Sequence, residues 1–244
     1  MGIRRGSIST PIIADGLVFN MDAANRASTI PSTSTTTIFN TVDLSQSGSI
    51  ITDGTWTNST ISPAFNFDGS DGYIDAGKST SSLGNSYANP LTLSIWVNFS
   101  NSGNNGIFSI SRFTNTQGQI GIVGFTNKIR AYTNSYAFYK EASLTASSPY
   151  WYYIVYSWVP DDNTNSKLYV NGEEKDAGTG NGTSPSSINL DTHNGFAVKT
   201  IIGGYFSNVY TFHGNIGNAH IYNRALSSNE VLHNYNALKG RFGL

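Results

Sequence analysis

Three aspartates in the stretch FDGSDGYID, Asp68, Asp71 and Asp75, bring carboxylates together on a segment with two glycines. Carboxylate oxygens are the hard donors that calcium takes, and Asp22 and Asp43 could add to the set. The same spacing suits Asx turns, because Asp-Gly pairs make turns whether or not an ion is present. Asx turns are therefore the plainer reading of these aspartates, and calcium is the candidate cofactor set against it. Sugar binding needs a different mixture: an aromatic ring for the C–H face of a pyranose, with amides and carboxylates for its hydroxyls. Trp56 with Asn58, Asn104 and Asn105, and Tyr205, Phe206, Asn208 and Tyr210 of GGYFSNVY, offer that mixture in loops or at strand ends. Their alternative is packing, which is the expected role of Trp151, Trp158 and most tyrosines.

Other chemistries lack their residues. His193, His213, His220 and His233 show no metal-binding spacing, and no Gly-x-Ser-x-Gly elbow positions a serine nucleophile. There is no cysteine, which removes thiolate metal sites and a cysteine nucleophile. Only 12% of residues are charged and the net charge is -1, so nucleic acid and anionic membranes have no electrostatic reason to bind. With 13% aromatic and 38% hydrophobic residues the chain is not compositionally disordered. No run of 18 apolar residues occurs, and the opening MGIRRGSISTPIIADG has no signal-peptide core, so neither membrane insertion nor a leader is expected.

The elements that must position these residues are strands. GLVFNMD and LTLSIWVNFS alternate apolar and polar positions, the second with Leu91, Leu93, Ile95, Val97 and Phe99 on one face and Thr92, Ser94, Trp96 and Asn98 on the other. WYYIVYSWV is bulky on both faces and belongs at the centre of a sheet. KLYVNGEEK carries Asn171 and Gly172, a hairpin turn whose residues tolerate positive φ. About a dozen short strands follow from such patterns, with loops expected at 28–37 and 179–187. The chain then changes period. Ser227 and Glu230 form a capping box, Leu226 and Val231 a hydrophobic staple, and Val231, Leu232, Tyr235 and Leu238 an apolar stripe, with Gly240 as the expected stop. This reads as a terminal helix plugging one edge or end of a sandwich, with a partner-binding helix as the alternative.

GLVFNMDAAN, FNFDGSDGYIDAG, LTLSIWVNF, WYYIVYSW with KLYVNGEE, and FHGNIGNAHIYNRALSSNEVLHNYN resemble, in order, the signposts of the laminin-G-like, concanavalin A-like lectin/glucanase superfamily. The resemblance implies an all-β fold, a two-sheet antiparallel jelly-roll sandwich over residues 15–238 with a short C-terminal helix, an N-terminal arm at 1–14 and a tail at 239–244. It also implies packing for Trp96. Hydrolases of the superfamily carry Glu-x-Asp-x-x-Glu on one strand, which is missing here; the glutamates are Glu141, Glu173, Glu174 and Glu230. The chain is accordingly read as no enzyme. The ends, GIRRG with ADGLVFNMDAAN and NYNALKGRFGL, are similar to structural proteins of tailed bacteriophages that carry this domain. That similarity implies a capsid decoration or fibre component on the virion surface, with other virion proteins as partners and a homo-oligomeric state. Ile3, Arg4 and Arg5 of the arm and Arg241 and Phe242 of the tail are expected to dock on a neighbouring subunit, and host glycans are the expected weak, multivalent ligand. A cement protein without ligand is the alternative, and a glycoside hydrolase is a third reading, which would need a carboxylate pair not recognised in the sequence.

Overall fold

The computed structural model describes residues 11–28, 37–51, 55–57, 63–78, 83–84, 86–100, 103–112, 118–134, 137–144, 150–175, 181–190, 192–193, 196–205 and 210–244. Two large antiparallel sheets form the expected sandwich. The first runs Glu173–Glu174, Lys167–Val170, Trp151–Trp158, Leu91–Phe99, His213–Tyr222, Ala64–Asp68, Thr55–Thr57. One edge of the long His213–Tyr222 strand is shared: 213–216 pair with 65–68, and 218–222 pair with Leu17–Asp22. The second sheet runs Asn181–Gly182, Phe138–Ser143, Lys128–Thr133, Gly118–Phe125, Asn105–Arg112, Phe196–Ile202, Tyr73–Lys78, Ser47–Ile51, Thr37–Phe39. Between the sheets Leu93, Ile95, Val97, Ile154 and Ile216 meet Ile74, Phe108, Ile110, Ile120, Ile122 and Ile129 in one core. The alternation of these strands aims their apolar residues inward.

A second apolar cluster lies on the outer face of the first sheet. Trp96, Tyr153, Val155, Tyr169 and Tyr222 are covered there by Leu226, Val231 and Phe242. The cover is the chain end, with Leu226 before the helix Ser228–Leu238, Val231 within it and Phe242 after it, and the helix starts as expected: Ser227 caps Glu230 N–H and the Glu230 carboxylate takes Ser227 N–H at 2.9 Å. Because the helix roofs this face, every residue of Leu91–Phe99 is buried, including those on the side with polar alternation. The polar ones become anchors. Thr92 Oγ1 donates to Arg224 O and accepts from Leu226 N–H, and Asn98 Nδ2 donates to Tyr150 O.

The chain end departs from expectation in three ways. Gly240 does not stop the helix; a 3-10 turn, Lys239–Phe242, follows, and Gly243 at φ 76 ends it. Leu232 is exposed while Asn234 is buried, its Nδ2 on Tyr222 Oη and its Oδ1 on Ile13 N–H, so a polar residue completes the inward face. Arg241 and Phe242, expected to dock on another subunit, are engaged inside the chain. Phe242 is 4% exposed and stacks on Trp96 at 4.2 Å, and Arg241 pairs with Asp22 at 2.7 Å while donating to Pro63 O and Gly217 O. Burial of the ring and the arginine's three partners remove both side chains from an outward surface. Ile3, Arg4 and Arg5 lie outside the described residues.

Candidate functional site

Strand direction gathers several segments at one end of the sandwich. Leu91–Phe99 finishes there and Trp151–Trp158 begins there, since Trp151 faces Asn98. His213 faces Asp68, so the 68–72 turn joins the same rim. From the second sheet come Tyr73, the start of Asn105–Arg112, and the turn at Asn127. The hairpin formed by Gly204–Tyr205 and Tyr210–Thr211 leaves the Phe196–Ile202 strand at this end and packs near 105–112.

Asn105 clamps the two sheets together. Its Oδ1 accepts His213 N–H at 3.0 Å, its Nδ2 donates to Gly103 O at 2.7 Å, and it is 2% exposed. It therefore holds the rim and does not face a ligand, which corrects the expectation that it would. Asn104, its neighbour, is exposed. In the 68–72 turn Asp68 accepts Ser70 N–H at 2.8 Å, which is an Asx turn, and Thr211 Oγ1 donates to Gly69 O. Gly69 is at φ 85, and a Cβ there would stand 2.9 Å from that of His213, so glycine allows the turn to close on the next strand.

Tyr150 is the residue the sequence reading missed. It is 58% exposed at this rim, its carbonyl held by Asn98 Nδ2 at 2.9 Å. Its position after Ser147-Ser148-Pro149 and before the WYYIVYSW strand was the available signal: an aromatic at a loop–strand boundary, outside the packed pattern. Among the other aromatic and amide expectations, Trp56 lies on the outermost strand of the first sheet, opposite Phe65, and Tyr205 faces Tyr210 across the small hairpin. Asn58, Phe206 and Asn208 lie outside the described residues.

The three aspartates are not brought together. Asp68 closes its own turn, while Asp75 sits on the outer face of the second sheet, where it pairs with Lys199 and accepts Gly77 N–H at 2.9 Å. Asp71 is half-buried with contacts of its own. Asp22 is held by Arg241 and Asp43 by Ser45. Among the described residues no group of three or more His, Asp or Glu side chains is placed to hold a metal ion.

Each glutamate is ion-paired: Glu141 with Lys128 and Arg130, Glu173 with Lys175, Glu174 with Lys167, Glu230 with Arg224. Burial pushes the Glu141 carboxyl up, but hydrogen bonds from Lys128 and Arg130 outweigh it and leave it below the usual range. The hydrogen bond from Arg224 holds Glu230 at about 2. Glu173 is lowered by Lys175. A glycosidase's general acid needs a shift in the opposite direction. The histidines are likewise dispersed. His220 is buried beneath the helix with Nδ1 3.2 Å from Ser94 Oγ, and His233 Nε2 meets Pro11 O at 2.9 Å.

A two-sheet sandwich with polar turns and an open aromatic at one rim is the architecture of a lectin-like domain. The chain belongs to the concanavalin A-like lectin/glucanases superfamily, whose family model matches residues 68–232. No curated protein sequence matches it. Among solved structures it is similar to Trypanosoma rangeli sialidase in complex with sialic acid, at 15% identity and a TM-score of 0.64, over 96% of this chain and 36% of that one. It is also similar to domain 4 of AbnA, a GH43 extracellular arabinanase from Geobacillus stearothermophilus, in complex with arabinotriose: 17% identity, TM-score 0.59, 88% of this chain and 96% of that one. The binding domain of botulinum neurotoxin serotype D/C matches at 12% identity and a TM-score of 0.58, over 91% of this chain and 52% of that one. The chain thus spans about a third of the length of the sialidase, and at these identities the likeness is one of fold. No helix among the described residues is long and apolar enough to cross a membrane.

Proposed function

We propose that this protein is a non-catalytic lectin-like module that binds glycans weakly at the rim and works in many copies on a virion, as a capsid decoration or fibre component. The observation that carries the binding reading is Tyr150, an aromatic side chain 58% exposed at the end of the sandwich where Asn104, Asp68 and Ser70 are also exposed. An open ring on the same rim as exposed amide, carboxylate and hydroxyl groups supplies the kinds of group a saccharide needs: a surface for its C–H face and partners for its hydroxyls. The AbnA domain, matched over almost its whole length, was solved with arabinotriose, which supports a saccharide as the ligand class. Support for the virion setting comes from the resemblance of the two chain ends to phage structural proteins. Many copies would turn a weak single site into useful avidity.

A glycan array probed with the protein in multimeric form, with and without calcium, tests this reading. Binding to one family of host-surface glycans is the expected result. A second reading, a cement protein with no ligand, is favoured by the extent to which rim residues such as Asn105 are engaged within the chain. A blank array supports cement, and release of sugar from polysaccharides in a parallel activity screen contradicts both.

A further inference from the structure

A pocket of about 430 Å3 opens where the hairpin turn at Asn171 and Gly172 meets the terminal helix, on the roofed side of the first sheet. That volume falls within the roughly 300–1,000 Å3 of small-ligand sites. We infer that it is a second saccharide site, distinct from the rim, that selects a sugar residue carrying a carboxylate.

The walls are fixed before any ligand arrives. Tyr235 lies parallel to Trp96, with ring centroids 5.8 Å apart and planes 9° apart, and Trp96 is itself fully buried. Gly172, at φ 83, keeps the gap between turn and helix open: a Cβ there would stand 3.0 Å from Leu232 Cδ1 and 3.2 Å from Tyr235 Cδ1. Leu232 is 44% exposed on this wall, so an apolar surface remains beside the ring. A pre-formed aromatic and apolar wall limits the ordering cost of binding.

The polar groups suit a sugar. Asn171 Oδ1 accepts Tyr153 N–H at 2.8 Å, which orients the amide, and its Nδ2 has no partner among the described residues and is the donor for a ligand hydroxyl. Asn236 is exposed at the opposite side. Lys175 is paired with Glu173 at 2.6 Å, whereas among the described residues the Lys239 ammonium has no carboxylate partner and stands over a ring, 5.5 Å from the Tyr235 centroid. With two lysines against one glutamate the lining carries one net positive charge, and Lys239 is the cation that a ligand carboxylate would meet.

Titration of the full chain by 1H–15N NMR tests the site, with glucuronic acid and N-acetylneuraminic acid as probes, glucose as the neutral sugar and acetate as a carboxylate without a ring. Saturable shifts of the amides of 171–175 and 232–239 with both acidic sugars are expected, with glucose several-fold weaker and acetate failing to saturate over the same range. Lys239→Gln should weaken the acidic sugars about threefold to fivefold, the scale of a partly exposed ion pair, and leave glucose unchanged. Asn236→Ala should weaken all three sugars. Equal affinity for glucose and glucuronate, shifts reproduced by acetate, unmoved pocket amides, or indifference to both variants would each overturn the proposal. Tyr150→Ala, at the rim, should leave this titration intact, so failure here and failure of rim binding are told apart.

Discussion

Gly217 has no room for a side chain, because a Cβ there would lie 2.5 Å and 2.6 Å from two ring carbons of Phe242. The register of His213–Tyr222 against Leu91–Phe99 shifts at this residue, and the irregularity lets the Phe242 ring lie over bare backbone beside Trp96. Gly217→Ala should therefore cost about 1–3 kcal/mol by overpacking. Phe242→Ala should cost about 3 kcal/mol through its cavity, and in that background Gly217→Ala should be nearly neutral. Denaturant unfolding of the double-mutant cycle checks this; additive losses would mean the ring and the glycine do not share the space. His220 offers a second test. Burial, aided by the charge of Arg241, pushes its pKa down to about 3, so the folded state keeps it neutral while the unfolded state protonates near 6.5. The unfolded state then binds more protons between those values, and stability falls as pH drops below 6.5, by at most about 1.4 kcal/mol per pH unit. Glu230, lowered to about 2, contributes above 4.5 and loses that contribution only below it. Between pH 4.5 and 6.5 the slope should flatten in His220→Asn; an unchanged slope would assign the proton uptake elsewhere.

The terminal helix shows what a sequence reveals and what it leaves out. Its start was legible because capping is local: Ser227 and Glu230 satisfy each other's backbone groups whatever lies beneath. Ser227→Ala should cost about 1 kcal/mol, visible as a fall in melting temperature of about 2–4 °C, and a change within error would show that Arg224 holds Glu230 without the cap. Its end was not legible. Gly240 looked like a stop, but the Phe242 ring finds its seat on Trp96 only if the chain continues into the 3-10 turn, so tertiary packing overrode the local signal. Asn234 was hidden for the same reason: its partners Tyr222 and Ile13 are 12 and 221 residues away. In Leu91–Phe99 the alternation gave the strand and its core face correctly, while the roof over the other face left no local mark. Short strands such as Thr37–Phe39 and Ser47–Ile51 carry little apolar pattern and draw their order from neighbours in the sheet.

At the scale of the molecule, the sandwich has one face roofed by its own chain end and one rim built of turns. The fold was legible because two-residue alternation and turn chemistry repeat along the whole chain, so local errors average out. The rim was only partly legible. Residue type placed Asn104 and Asn105 together as ligand groups, but the contact with His213 that engages Asn105 is long-range, and the exposure of Tyr150 depends on which strand lies beside it. Calcium illustrates the same limit: clustered aspartates in sequence are separated by the strand that begins at Tyr73, with Asp75 directed to Lys199. Since Asp22, Asp43, Asp68 and Asp75 have partners within the chain, a chelator should leave the melting temperature unmoved, and a rise on adding calcium would reveal a native-state site. Saccharide recognition at the rim is tested most directly by titrating a glycan identified on the array into wild-type protein and Tyr150→Ala in the same multimeric form. Rim binding predicts that the variant keeps its fold and loses at least tenfold in apparent affinity, about 1.4 kcal/mol; equal affinity of the two proteins would contradict it.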